Sequence, residues 1–222
     1  MTDSHERTTP GLIDELVRDL APVRPFPSLA TGLAWVLGAW GIAAGLSMLL
    51  HADPSGSIAK ASSDPWFALV VLGLSVGALA GSVGAILSVL PGRERETHRA
   101  WRVSALGLGV AVLVGAAATG FGIDPVATPF AKDAGCFALG AAVGIVPLGV
   151  LVAIARHGFV QQATRSALIA LAGGFALGGL AVQLFCQQPG AAHMLLGHVS
   201  VPIVMMTLAA FPLARLLSPP RR

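Results

Sequence analysis

The sequence predicts an all-α polytopic membrane protein, a bundle of six transmembrane helices preceded by a short amphipathic N-terminal helix. Three observations carry this reading. Of 222 residues, 55% are hydrophobic and 11% charged, against roughly 25% charged in soluble domains. The mean hydropathy is +0.76. At about 20 apolar residues per crossing, the hydrophobic share supplies about six spans and leaves little for a separate soluble domain. The chain also holds 27 Gly and 15 Pro but no Tyr, a balance suited to helices that pack closely in lipid.

Taken in order, residues 1–28 form a polar arm in which Asp3, Glu6, Asp14, Glu15 and Asp19 mix with Arg7, Arg18 and Arg24. Acids at this density, with no small-residue cleavage site after them, argue against a signal peptide. The first span runs from about Leu29 to Leu50. The second runs from Trp66 to Leu90, with Asp64 as N-cap and Pro65 at the first helical position. The third covers Ala100–Phe121, the fourth Cys136–Ala155, the fifth Ala163–Phe185 and the sixth Ala192–Leu217, leaving residues 218–222 as a tail. Gly73, Gly77, Gly81 and Gly84 in the second span, and Gly174 and Gly178 in the fifth, have the small-xxx-small spacing of close helix packing. Pro147, Pro202 and Pro212 are expected to kink their helices.

Orientation follows from the basic residues. The arm, the second-to-third connection (Arg93, Arg95, Arg99, Arg102), the fourth-to-fifth connection (Arg156, Arg165) and the C-terminal end (Arg215, Arg221, Arg222) hold twelve of the 14 Lys and Arg. Only Lys60 and Lys132 fall on the other face. Both termini are therefore expected in the cytoplasm, with three hairpins reaching outward. The net charge of +3 reports this topology, and with no basic run longer than Arg221-Arg222 direct nucleic-acid binding is not expected. All 11 acids read as arm or loop residues. Such a scarcity of ionisable groups in the spans counts against a pump or coupled transporter.

Within the arm, Leu12, Ile13, Leu16, Val17 and Leu20 line one helical face, while Asp14, Glu15, Arg18 and Asp19 take the other. Thr9-Pro10 starts this helix and Pro22 stops it. So short a helix is marginal alone and must dock, either on the membrane surface and the base of the bundle or in a protein groove. Surface-lying helices favour Lys and Arg on their polar face. Three acids against one Arg favour the groove.

On the outward rim, Cys136 opens the fourth span and Cys186 closes the fifth, so antiparallel helices bring both thiols to one side. Three readings are open: a reversible disulfide or thiol sensor, metal ligation, or inert small cysteines. His193 and His51 are candidate metal ligands on the same rim, with His198 at or just beneath it. Two thiolates and one or two imidazoles would suit a transition-metal ion such as zinc, copper or cadmium. Standing alone, His193 reads as a hydrated interfacial residue rather than a ligand, and His98 and His157 read as solvated on the cytoplasmic side.

The arm segment Leu12-Ile13-Asp14-Glu15-Leu16-Val17-Arg18-Asp19-Leu20-Ala21-Pro22-Val23-Arg24, the six-span layout, Cys136 and the run Cys186-Gln187-Gln188-Pro189 resemble the bacterial membrane anti-sigma factors of the negative-regulator-of-sigma-F (NrsF-like) family. Gly197-His198 departs from that pattern in lacking an aromatic residue before the polar ring. The resemblance implies a non-enzymatic regulator in the bacterial inner membrane. Its arm would hold an extracytoplasmic-function sigma factor, and a metal or oxidant acting on Cys136 and Cys186 would release it. Two alternatives come from other classes: a small membrane transporter, and a membrane thiol oxidoreductase using the same cysteine pair. The second lacks any Cys-x-x-Cys.

Overall fold

The computed structural model describes residues 26–51, 64–122, 129–186 and 190–218 together with Val17, the side chain of His51 excepted. Helix starts follow the local chemistry. Ser28 opens α1 (Leu29–His51), its side-chain oxygen accepting from the Thr31 N–H at 3.1 Å. Asp64 caps α2 (Pro65–Leu87) by accepting from the N–H groups of Trp66 and Phe67 at 2.9 and 3.2 Å, with Pro65 in the first turn where no N–H is needed. Beyond it lie α3 (Glu94–Gly120), α4 (Phe130–His157) and α5 (Ala163–Phe185). The last helix, α6 (Ala191–Leu217), contains a π-helical turn at Leu195–Val199. All six are long and apolar enough to cross a membrane, and no strand occurs among the described residues. The protein is a multi-pass membrane protein.

Three helices start or stop elsewhere than hydropathy predicts. α4 begins six residues before Cys136, at Phe130, because Pro129 supplies a helix-compatible φ of −57° and Asp133 in the first turn complements the helix dipole. α3 begins at Glu94, its first turn holding Glu94 and Glu96 on the same dipole logic. α2 ends at Leu87, before a turn in which Gly92 takes a φ of +77°. Acids thus do occur within helices, contrary to the expectation that all fall in arm or loops.

The bundle is organised around α5, buried along almost its whole length and packed against α2, α4 and α6. The small-residue stripes set these crossings. A Cβ on Gly107 would lie 2.7 Å from the Gly77 nitrogen, and one on Gly144 would lie 3.0 Å from the Gly174 carbonyl. Bare backbone at these points lets α3 reach α2 and α4 reach α5, which is the packing role expected of the stripes. α1 is the least buried helix and leans mainly on α4. The Trp40 indole N–H ties it to the bundle by donating to the Leu177 carbonyl of α5 at 2.7 Å.

Successive helices alternate in direction, so the bundle has two ends. One gathers the start of α1, the α2–α3 and α4–α5 turns and the end of α6; seven described arginines lie toward it. The opposite end holds both cysteines, His193 and His198.

Candidate functional site

The cysteine end is built by three helices. Cys136 and Asp133 lie one turn apart on α4, Cys186 follows the last residue of α5, and His193 and His198 come from the first turns of α6. Gln183, one turn before Cys186, completes the set from α5. The Sγ atoms of Cys136 and Cys186 are 3.5 Å apart, and Cys186 Sγ is 3.3 Å from His193 Nε2. His193 Nδ1 meets Asp133 Oδ1 at 2.5 Å, and His198 Nδ1 meets Gln183 Oε1 at 2.5 Å. The two imidazoles stack edge to face with centroids 5.1 Å apart. One ligating atom from each of Cys136, Cys186, His193 and His198 can be chosen so that all lie within 4.8 Å of one another. The thiols are half-buried, whereas His193, His198, Asp133 and Gln183 are buried.

Local sequence explains the convergence of the histidines. In a regular α-helix, residues five apart point about 140° away from each other. The π turn at Leu195–Val199, closed by the Ser200 N–H on the Leu195 carbonyl, carries His198 back toward the face of His193. Pro202 has no N–H to offer the His198 carbonyl, which favours this departure from α geometry. Glycines then let the histidine turn close on its neighbours. A Cβ on Gly197 would lie 3.2 Å from the Cys136 Cβ, and one on Gly179 would lie 2.6 Å from the His198 carbonyl oxygen.

The predicted signal residues Cys136 and Cys186 are therefore together, and His193 joins them. His193 is fully buried rather than a hydrated interfacial residue, because α4 begins early enough to bring Asp133 over it. Cys136 stands almost two turns inside α4 rather than at its start. His51 ends α1 at the same end of the bundle, its side chain lying outside the described residues. Of the predicted partner-binding stripe, Val17 is exposed, and Leu12, Ile13, Leu16 and Leu20 lie outside the described residues. His98 and His157, expected to be solvated, are exposed.

Asp133 and Gln183 were not foreseen as site residues. A lone amide inside the apolar run Ala163–Phe185 was the available signal for Gln183, since a polar side chain in a span needs a partner. For Asp133 the signal was its spacing, three residues before a cysteine and so one helical turn away.

The cysteine end also touches the helix that carries the arm. Trp40, Ala43, Ala44 and Met48 of α1 pack in one apolar cluster with Cys136, Leu139, Val182, Phe185 and Cys186. Chemically, two close thiols can form a disulfide or, with the two imidazoles, offer an S2N2 ligand set. Protein-family models, curated proteins and solved structures contain no match to this chain.

Proposed function

We propose that this protein is a membrane-bound anti-sigma factor of the bacterial inner membrane. Its cytoplasmic N-terminal helix would sequester an extracytoplasmic-function sigma factor through Leu12, Ile13, Leu16, Val17 and Leu20. A metal or oxidant acting on Cys136 and Cys186 at the outer face would release it. Neither catalysis nor direct nucleic-acid binding belongs to this reading. One observation carries it: the paired thiols sit at the far end of the bundle from the start of α1, yet α1 and both cysteines pack against the same apolar cluster of Val143, Ala181, Val182 and Phe185. A signal changing the separation of Cys136 and Cys186 would disturb the cluster against which Trp40, Ala43, Ala44 and Met48 also pack. It thereby shifts the helix from which the arm hangs. Release requires that the signal favour one packing of α1 over another.

Orientation is supported by the seven arginines toward the arm end against Lys132 at the cysteine end, among the described residues. Transport is the weaker reading. The buried polar side chains nearer the middle of the bundle are the hydroxyls of Ser82 and Ser104, the latter donating to the Gly77 carbonyl at 2.7 Å. These mark a helix crossing, whereas a pathway calls for ionisable groups along the bundle.

Co-expression with each extracytoplasmic-function sigma factor of the source genome tests the proposal. One of them is expected in the membrane fraction with the wild-type chain and in the soluble fraction with Leu16→Asp, which puts a charge on the docking stripe. Retention of that sigma factor by Leu16→Asp removes the arm as docking element. Failure of every sigma factor to associate with the wild-type chain overturns the reading.

A further inference from the structure

We propose that Cys136, Cys186, His193 and His198 form a closed four-ligand site for a soft d10 cation of the zinc(II) type, with Asp133 and Gln183 as the outer partners that orient the two imidazoles. The proposal names the ligand of the sensing site and rests on the anti-sigma reading for its purpose, but its test does not.

Geometry comes first. Zinc binds thiolate sulfur at about 2.3 Å and imidazole nitrogen at about 2.0–2.1 Å, nearly always tetrahedrally in closed sites. The edges of such a tetrahedron are about 3.3–3.8 Å long. The Cys136 Sγ to Cys186 Sγ separation of 3.5 Å and the Cys186 Sγ to His193 Nε2 separation of 3.3 Å are already edges of that size. With one ligating atom from each of the four residues inside 4.8 Å of the others, no pair has to draw in by more than about 1.5 Å.

The hydrogen bonds assign the ring nitrogens. Gln183 Oε1 can only accept, so His198 Nδ1 carries the proton and donates to it, leaving Nε2 with its lone pair. That Nε2 is buried and has no partner within hydrogen-bond distance among the described residues. A buried acceptor without a partner is costly, and here it is on one of the four residues of the ligand cluster. His193 repeats the arrangement, its Nδ1 held by the Asp133 carboxylate and its Nε2 turned to Cys186. Carboxylate or carbonyl behind a ligating imidazole is the usual outer support of a metal centre. Two such supports, on histidines five residues apart that a π turn brings together, are hard to explain by packing alone.

Charge balance agrees. A dication binding two thiols displaces two protons, and the resulting bis-thiolate with two neutral imidazoles carries no net charge. Neutral ligation of this kind suits a site at the margin of an apolar bundle, with the Asp133 carboxylate behind His193 as the one remaining charge. Sulfur and imidazole ligands select against magnesium and calcium, which take oxygen.

The test uses the full chain purified in detergent with its thiols reduced. After treatment with a chelator it is loaded with zinc(II), and metal per chain is measured alongside alkylation of the two thiols. About one zinc per chain, with both thiols protected from alkylation, is expected. Magnesium and calcium should do neither. Cobalt(II) in place of zinc should give the visible spectrum of a tetrahedral, thiolate-ligated ion. Asp133→Asn should weaken zinc binding about 10–100-fold, and His198→Ala should weaken it more, each with an unchanged gel-filtration profile. No zinc retained by the reduced wild-type chain overturns the proposal whether or not the variants fold. Wild-type affinity and cobalt spectrum in His198→Ala overturn the four-ligand assignment. Because no sigma factor is present, zinc binding without sigma release would sink the regulatory reading and leave the site standing.

Discussion

The two ends of the bundle contain the same kinds of side chain under different conditions. At the arm end, His98 meets Arg165 at 3.0 Å and His157 Nδ1 meets the Ala153 carbonyl of its own helix at 2.7 Å, all on the exposed surface. Glu94 accepts from Gln161 at 3.3 Å, and Arg93 pairs with Glu96 at 3.1 Å, again exposed. At the cysteine end, His193 is 0% exposed and His198 3%, and their partners Asp133 and Gln183 are buried with them. Water screens the first set, so each contact contributes little and can be exchanged for another. The second set is dry and its members hydrogen-bond to one another, so removing one leaves another short of a partner. Function is therefore expected where polar groups are few and dry, while the numerous wet ones set orientation.

The largest expected effect tests the dry end directly. Cys136→Ser and Cys186→Ser should each abolish stress induction of the genes under the sigma factor while repression without stress stays intact, as read by a reporter in the source organism. Normal induction in both would reduce the thiols to packing groups and erase the functional contrast between the ends. An intermediate effect sharpens the link between the cysteine end and the arm. Trp40→Phe keeps a ring in the cluster shared with Cys136 and Cys186 but removes the indole hydrogen bond to the Leu177 carbonyl. The cost should be about 1 kcal/mol, read as a lower melting temperature in detergent. An unchanged melting temperature would mean that α1 is held by apolar contact alone. The smallest effect belongs to the wet end. Arg93→Ala breaks a pair whose side chains are 56% and 43% exposed, and stability should change by no more than about 0.5 kcal/mol. A loss as large as that from Trp40→Phe would show that this end is as tightly organised as the other.

Much of the fold was legible from local sums. Ala163–Phe185 has the same bounds by hydropathy and in the structure, and Asp64-Pro65 caps α2 as its residue types require. The errors share one cause. Hydropathy marks where lipid can lie, whereas a helix continues as long as backbone and partners allow, so α3 and α4 extend through charged residues to Glu94 and Phe130. That single misplacement hid Asp133, since a carboxylate assigned to a loop is expected to face water. The pairing of Cys136 with Cys186 was legible because antiparallel neighbours bring their adjoining ends together. His198, placed at or just beneath the same rim as His193, does join it, because a π turn brings residues five apart toward one face.

By itself the sequence determined six apolar helices, their alternation and the gathering of arginines at one end, because each depends on composition within a window of about one span. Tertiary structure alone decided which histidines are dry, that Asp133 reaches His193 across 60 positions of chain, and that α1 shares an apolar cluster with the cysteines. Those facts depend on how far helices rotate about their axes and how closely glycine lets them approach, and packing between distant segments sets both.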